Sequence, residues 1–424
     1  MKLVCLLIIY RLTLDWLYGN WISLYYSWYG FNGQWDVISF IKSLVFLFIG
    51  TKLMKLKTNA SSIVIYFIYL FYFVPFTSMI AFDAFNNITY EFLYMIYWLI
   101  LVSGHRLFLK SQYDNLSFNI TENYIPKYRI AFYVIMLMLC LNIVYIIIFF
   151  TGINLKLDLY EIYNIRKYLS QIKLPVISSY LLTSAQICIP IGIFYFMQMK
   201  KYLYVAVLFF ISILLFISLA FKSTIFIILV SAIIIFLKFE YNQKNILSGL
   251  CLLNILSILE YIILDKYIIV ELIIRRALFW PNLLSFQYYN YFNLHQPDYF
   301  ASSFLRWFGV SSEFSKTRIV NIIGQTYYGY DMPANNGLLA DAFANLGNIG
   351  IIIMPILILI VLKLLDINTS QLKSSLLMVP CFIIAIDFIN TFLSVALLTH
   401  GVLLAILLFR CINCQYKRNN KYIE

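Results

Sequence analysis

Long apolar runs, each about as long as a membrane is thick, recur along the chain and are separated by short polar segments. Because near 20 apolar residues cross a bilayer as one α-helix, a window of about 19 residues identifies candidate spans. It predicts twelve of them, near residues 3–22, 37–53, 62–81, 88–104, 131–151, 178–197, 202–220, 223–237, 246–264, 347–365, 375–392 and 394–411. The pattern therefore predicts an all-α polytopic integral membrane protein with about twelve transmembrane helices.

The composition supports a membrane protein and excludes a soluble enzyme. Of the 424 residues, 62% are hydrophobic and only 12% are charged, whereas about a quarter of the residues of a soluble domain are charged. No small-residue cleavage site follows the first apolar run, so we expect this run to be retained as the first span. Arg11 and Asp15 interrupt it one helical turn apart, and we expect them to pair on one helix face.

The predicted spans divide the chain into three parts. Residues 1–264 hold transmembrane helices 1 to 9 with a short outward loop near 152–177, and residues 347–424 hold helices 10 to 12 and a C-terminal tail. Residues 265–346 form the largest segment without a predicted span. Long loops are usually functional or disordered, and this one is too aromatic and apolar for disorder. We therefore expect the catalytic chemistry in this segment.

The distribution of charge predicts the orientation of the chain. If the N-terminus lies in the cytoplasm, the cytoplasmic segments hold more than half of the 31 lysines and arginines but only about a quarter of the 19 acids. The whole net charge of +12 then lies on that side, as the positive-inside rule expects. Both termini are therefore predicted to be cytoplasmic, residues 265–346 are predicted to face outward, and the excess of cations needs no nucleic-acid partner.

Arginine dominates the cations of the large outward loop. Arg275, Arg276, Arg306 and Arg318 lie in it, and the planar guanidinium group binds phosphate oxygens through paired hydrogen bonds. Lys222 falls at an outward hinge between two closely linked spans, from which it can reach the same cavity. These residues predict an anion site. The alternative, that Arg275 and Arg276 only extend to lipid headgroups, stays open.

Aromatic and amide residues in the same loop are candidates for binding a sugar or an anion. Tyr288 and Tyr289 can stack on sugar faces and donate hydrogen bonds, or they can belong to the interfacial aromatic belt. Asn335 and Asn336 are predicted to cap the helix that follows and to leave its N–H groups open to an anion. Asp341, about one turn further on, is either a helix-start stabiliser or an acid–base group.

The sequence predicts no metal and no cofactor. Almost all of the seven cysteines lie within apolar runs or at their ends, so they imply no disulfide framework. His295 and His400 are isolated, and no His, Cys and carboxylate residues have the spacing of metal ligands. The cytoplasmic segments also contain no P-loop motif.

Taken together, these segments resemble the Wzy-type O-antigen polymerases, the oligosaccharide repeat-unit polymerases of bacterial inner membranes. The resemblance covers the plan of about twelve spans with a large outward loop between the ninth and the tenth. The residues that carry it are Arg275 and Arg276, Pro281, Tyr288 and Tyr289, the hinge at Lys222 and Ser223, and the run from Ala334 to Asp341 that continues to Gly347 and Gly350. The loop near 152–177 is shorter than its counterpart in the family.

The resemblance implies a GT-C-like fold and a glycosyltransferase of the bacterial inner membrane that uses no cofactor. Its substrate would be an undecaprenyl-diphosphate-linked oligosaccharide, and the growing glycan would pass from its lipid diphosphate to the next lipid-linked unit. The four arginines would bind the diphosphate, and Asn335, Asn336 and Asp341 would lie on the acceptor side. Membrane lipids and a polysaccharide chain-length regulator are the expected partners.

Two other functions remain open. An O-antigen ligase has a similar layout and transfers the finished glycan to a lipid A core. A lipid-linked oligosaccharide flippase should show internal symmetry and a central path lined by charged residues, and it should lack a large outer loop. The sequence fits the flippase less well on each of these points.

Overall fold

The described residues of the chain are helical. The computed structural model describes residues 2–111, 125–152, 171–219, 222–236, 241–303, 305 and 308–421. Within these ranges the chain forms helices and their connections and no strand. The predicted all-α class is therefore confirmed for this part of the chain, whereas most of the short loop predicted near 152–177 lies outside it.

Apolar helices account for most of the structure. In chain order the helices are α1 (Lys2–Tyr25), α2 (Val37–Leu53), α3 (Ala60–Ala81), α4 (Ile88–Ser111), α5 (Lys127–Thr151), α6 (Val176–Gln198), α7 (Tyr202–Leu219), α8 (Lys222–Phe236), α9 (Gln243–Leu264), α10 (Trp280–Phe292), α11 (Ile319–Tyr328), α12 (Leu339–Leu346), α13 (Gly350–Thr369), α14 (Ser374–Asn390), α15 (Leu393–Leu398) and α16 (Val402–Lys421). Among the described residues, seven segments are long and apolar enough to cross a membrane: α1, α3, α4, α5, α6, α9 and the α12–α13 pair. The protein is thus a helical membrane protein by length and composition, and the twelve-span topology stays a prediction.

The last predicted span, 394–411, is not one continuous helix. α15 ends at Leu398 and α16 begins at Val402, and between them Gly401 has a φ of 82°. A side chain on Gly401 would collide with Ser184 of α6, so the close approach of two backbones fixes the break. The hydropathy window did not predict this break, because the residues on both sides of it are apolar.

Much of the segment predicted as a large outward loop is helical and packed into one end of the bundle. A π-helix (Val270–Phe279) leads directly into α10, and α11 and α12 follow. Nine of the 13 residues of α10 are buried. They are buried because α10 lies against α3, α4 and α12, which it contacts through hydrogen bonds and aromatic rings. This segment is therefore part of the bundle rather than a separate soluble domain.

The two ends of the bundle carry different connections. One end, which we call the loop face, carries residues 26–36, 82–87, 265–303, 308–338 and 391–401. The backbone N–H of Asp36 donates a hydrogen bond to the Ala81 carbonyl oxygen, with 3.4 Å between nitrogen and oxygen. The rings of Tyr29 and Tyr328 lie 5.7 Å apart. These contacts bring separate connections together at the loop face. Residues 54–59 and 370–373 lie at the opposite end of the bundle.

A backbone carbonyl group of α3 anchors the buried helix α10. It lies in the turn Tyr69–Phe73, which is π-helical. The side-chain amide of Asn282 donates to the Tyr72 carbonyl oxygen at 3.0 Å and accepts a hydrogen bond from the Tyr94 hydroxyl at 3.1 Å. Because buried polar groups are costly unless they are paired, these bonds fix the position of α10.

A buried arginine joins α1 to α2 and α3. Arg11 is 2% exposed and pairs with Asp15, which confirms the pairing predicted from their spacing. Its guanidinium group also donates to Ser43 Oγ of α2 at 3.0 Å and to the Thr77 carbonyl oxygen of α3 at 2.7 Å. Ser78 of α3 in turn donates to Asp15. The charge of Arg11 is therefore compensated inside the bundle.

The substitution Arg11→Met should strongly destabilise the protein. It keeps a long side chain but leaves Asp15 without its cation, and breaking a buried ion pair costs about 3–5 kcal/mol. We expect a clear fall in the melting temperature of the purified protein in detergent. Arg106→Met, at an exposed position of α4, is the control, and equal melting of the two variants would contradict the buried network.

Reporter fusions should place the loop face outside the cytoplasm, because the positive-inside distribution of charge orients the helices. Alkaline phosphatase joined after residue 34, 86 or 300 should be active. Green fluorescent protein joined after residue 57 or 372 should fluoresce. Active phosphatase at residues 57 and 372 would show the reverse orientation.

Candidate functional site

The π-helix places two consecutive arginines in different environments. Its buried residues are Val270, Ile274, Arg275, Leu278 and Phe279. Arg276, by contrast, is exposed. Helical turns of the π type are rare and occur often at functional sites. One guanidinium group is thus turned into the protein, and its neighbour lies at the surface.

Arg275 lies among three aromatic rings, which together we call the arginine box. Its guanidinium carbon is 4.2 Å from the ring centre of Tyr26, 5.5 Å from that of Tyr29 and 5.7 Å from that of Trp280. Burial raises the pKa of Tyr26 and of Tyr29, so both phenols stay neutral. The rings therefore stabilise the cation through cation–π contacts without supplying a negative charge.

Among the described residues, Arg275 forms no ion pair with a carboxylate. Its side chain is 5% exposed, and its Nε atom has no hydrogen-bond partner in the same part of the chain. Guanidinium groups bind the oxygen atoms of phosphates and carboxylates through charge-assisted hydrogen bonds. The arginine box is therefore chemically suited to bind an oxyanion.

The side chains of two other predicted cations lie outside the part of the chain that the structure describes. Arg306 lies outside the described residues. Lys222 begins α8, but its side chain is outside them as well. Arg276 follows Arg275 directly along the chain. Among the predicted cations whose side chains the structure describes, these two are neighbours.

Arg318 lies at a distance from the arginine box. It is exposed at the N-terminal end of α11. The opposite end of this ten-residue helix reaches the box, where the ring of Tyr328 stacks on Trp280 with ring centres 5.6 Å apart. Since an α-helix rises about 1.5 Å per residue, Arg318 is separated from the box by roughly 15 Å along α11.

A polar cleft of about 750 Å³ lies at the loop face beside the arginine box. Its walls come from residues 30 and 32–36, residues 83–86 and the 283–290 stretch of α10, and Tyr327 of α11 completes them. Five amide side chains and the carboxylates of Asp36 and Asp83 line it, together with the rings of Trp35 and Phe286. Because ligand sites commonly measure about 300–1,000 Å³, the cleft has the size of a small-molecule site.

Gln287 of α10 links the polar cleft to the arginine box. Its side chain lines the cleft, and its Oε1 atom accepts a hydrogen bond from the Tyr328 hydroxyl at 2.9 Å. The ring of Tyr328 packs in turn against Trp280 and Tyr29, which surround Arg275. One layer of aromatic side chains thus separates the cleft from the cation.

Sequence analysis missed the polar cleft, although the sequence contains a signal for it. Its two short connections read Gly-Phe-Asn-Gly-Gln-Trp-Asp at 30–36 and Asp-Ala-Phe-Asn-Asn at 83–87. Both are rich in amides and carboxylates, and they follow the first and the third predicted span. Because successive spans alternate in direction, span counting places both connections at the same end of the bundle.

Asp341 joins two helices in this structure. It is 1% exposed, and its carboxylate accepts hydrogen bonds from Asn345 Nδ2 and from the Leu393 N–H, both at 2.6 Å. These bonds connect α12 to the first residue of α15. Of the two alternatives left open by the sequence, the geometry favours stabilisation of a helix start, and the helix concerned is α15.

The predicted capping of α12 by Asn335 and Asn336 is wrong. α12 begins at Leu339, and no side chain caps it. Asn336 is instead fully buried, and its amide donates to the Pro281 carbonyl oxygen at 2.8 Å and to Ser285 Oγ at 2.9 Å. It therefore ties the loop before α12 to α10, whereas Asn335 is exposed.

The rings of Tyr288 and Tyr289 are occupied by packing inside the bundle. Tyr288 is fully buried and donates to the Ala334 carbonyl oxygen at 2.9 Å. Tyr289 is 6% exposed and lies 5.2 Å from Tyr90 and 5.1 Å from Phe343, measured between ring centres. Neither ring is open to a sugar in this conformation.

No protein-family model, curated protein or solved structure matches this chain.

Within the part of the chain that the structure describes, no three His, Cys, Asp or Glu side chains cluster as a metal site would require. The chemistry of the arginine box and the polar cleft is therefore what indicates a function.

The substitutions Asp341→Ala and Asp341→Asn should separate a structural role from a catalytic one. Alanine leaves the buried Leu393 N–H unsatisfied, which costs about 1–3 kcal/mol, and should lower the melting temperature in detergent. Asparagine retains an oxygen for this N–H, although it loses the acceptor for the Asn345 amide, whose own oxygen is held by the Phe300 N–H at 3.2 Å. The Asn variant should therefore lose less stability than the Ala variant and keep its activity. A stable but inactive Asn variant would indicate an acid–base role instead.

Proposed function

We propose that the protein is an O-antigen polymerase of the Wzy type. It would join undecaprenyl-diphosphate-linked oligosaccharide units at the outer face of the bacterial inner membrane. In each cycle the bond between the growing glycan and its carrier diphosphate breaks, and a bond to a hydroxyl group of the next lipid-linked unit forms. The carrier diphosphate is the leaving group, and the hydroxyl proton is released.

The buried guanidinium group of Arg275 is the observation that supports this proposal most. It is 5% exposed, it is surrounded by neutral rings and its Nε atom is unpaired among the described residues. A cation in such a site interacts more strongly with an anion than the same cation in water. A leaving diphosphate, which gains negative charge as its bond to the sugar breaks, is an anion of the required kind.

The neighbouring groups are consistent with a transfer reaction at this anion site. Arg276, exposed one residue further on, is the second guanidinium group in this proposal. Preorganised donors aimed at a developing charge lower the barrier without a metal. Arg306 stays a predicted diphosphate ligand, whereas Arg318, roughly 15 Å from the box along α11, is not assigned to the same diphosphate. Asp341 is not assigned as the base, because its carboxylate is 1% exposed and holds Asn345 and the Leu393 N–H.

The substitution Arg275→Lys tests the proposed role directly. Lysine keeps the positive charge but loses the planar fork, and loss of one preorganised donor typically costs about 100- to 1,000-fold in rate. We expect a strain with this variant to make almost no long-chain polysaccharide, as measured by gel electrophoresis of the extracted glycolipid. Arg106→Lys, an exposed change on α4, is the matched control. Unchanged chain length with normal protein levels would reject the role of Arg275.

Deletion of the gene separates the proposed function from its alternatives. A strain without a polymerase should carry single repeat units on the lipid A core, whereas a strain without the ligase should carry none. A strain without the flippase should retain the lipid-linked units on the cytoplasmic leaflet. Unchanged long-chain polysaccharide in the deletion strain would reject the proposal.

A further inference from the structure

The polar cleft has a preformed wall because residues 30–36 are fixed against the bundle. Gly33 has a φ of 124°, and a side chain there would collide with the Phe82 carbonyl oxygen. The Tyr18 hydroxyl donates to the Asn32 carbonyl oxygen at 2.8 Å. A site whose walls are already ordered loses less entropy when a ligand binds. The cleft is therefore built as a binding site and not as a gap between mobile loops.

The side chains of the polar cleft match the hydrogen-bonding pattern of sugar hydroxyl groups. Amide side chains both donate and accept hydrogen bonds, as hydroxyl groups do, and five of them line the cleft. Trp35 is 55% exposed, so its ring is accessible to a ligand. Aromatic rings present a flat apolar surface on which the C–H face of a sugar can lie. This combination fits an oligosaccharide.

The charge of the polar cleft is opposite to that of the arginine box. Its described lining contains the carboxylates of Asp36 and Asp83 but no lysine, arginine or histidine. The hydrogen bond from the Ser39 N–H lowers the pKa of Asp36, so this carboxylate is ionised at neutral pH. Since like charges repel at short range, the cleft disfavours phosphates and uronic acids and favours neutral or amino sugars.

We propose that the polar cleft binds the acceptor glycan and selects a neutral or amino sugar at its attacking end. This inference rests on the proposed function, which it extends by naming where the second substrate binds and which chemistry it must have. The arginine box takes the diphosphate of the donor on the other side of the aromatic layer. Gln287 and Trp280 lie between the two substrates.

Direct binding to the purified full-length protein in detergent tests this assignment. The probe is the repeat-unit oligosaccharide freed from its lipid carrier by mild acid, and the measurement is calorimetric titration. Asn290→Ala removes one amide from the cleft and should weaken binding about tenfold, the effect of one hydrogen bond. Asn293→Ala is the matched control, because Asn293 is exposed just beyond α10 and outside the cleft.

A second titration tests the selection by charge. The same oligosaccharide, oxidised at its primary hydroxyl groups to carboxylates, should bind the wild type at least tenfold more weakly than the neutral form. The double substitution Asp36→Asn with Asp83→Asn should remove this difference. Asparagine can replace Asp36 at the start of α2 and tolerates the φ of 49° at Asp83, so the variant should fold.

The possible outcomes separate this inference from the proposed function. Equal binding by wild type and Asn290→Ala, or equal binding of the neutral and oxidised probes by the wild type, would overturn the inference while Arg275→Lys could still abolish polymer. Long-chain polysaccharide that persists after gene deletion would instead reject the proposed function. Inorganic pyrophosphate should not displace the oligosaccharide. Competition between them would place both at one site and would also overturn the inference.

Discussion

The hydrogen bond between the Asn282 amide and the Tyr72 carbonyl oxygen is the contact on which the site depends. It links the buried helix α10 to a turn of α3 in which the regular α-helical pattern is interrupted. The box arginine lies just before α10, and the side chains of Gln287 and Asn290 follow on the same helix. A single buried helix thereby positions both the cation and one wall of the polar cleft, and its own position is set by polar contacts that a purely apolar helix would lack.

The structure separates positive from negative charge across a short distance. Arg275 lies on one side of an aromatic layer, and Asp36 and Asp83 lie on the other. If the carboxylates lay beside the arginine, they would neutralise it and leave no cation for a substrate. Aromatic residues are well suited to this layer because they stabilise the cation through their faces and carry no charge of their own. The abundance of tyrosine, tryptophan and phenylalanine in this chain therefore has a use beyond an interfacial belt.

The sequence was sufficient for the helical class and for the positions of most helices, since long apolar runs have few alternatives to a membrane helix. It also predicted the pair of Arg11 and Asp15, because the spacing of residues within one helix is known in advance. Contacts between distant segments were harder to predict. The capping assigned to Asn336 followed from local order, whereas its actual partners lie on α10, more than fifty positions earlier. The polar cleft was missed as well, because its walls come from four separate parts of the chain.

The interruption at Gly401 bears on how the lipid bilayer meets this protein. It leaves Val402–Cys414 as the apolar part of the final helix, a stretch of about 20 Å against a hydrocarbon core of about 30 Å. One way to accommodate a helix of that length is local thinning of the membrane. Lipids beside α16 would then be compressed, and the headgroup region would sit closer to the bilayer centre at this edge of the protein. The polar headgroup of a carrier lipid that diffuses in from that side would already lie closer to the bilayer centre before it meets the protein.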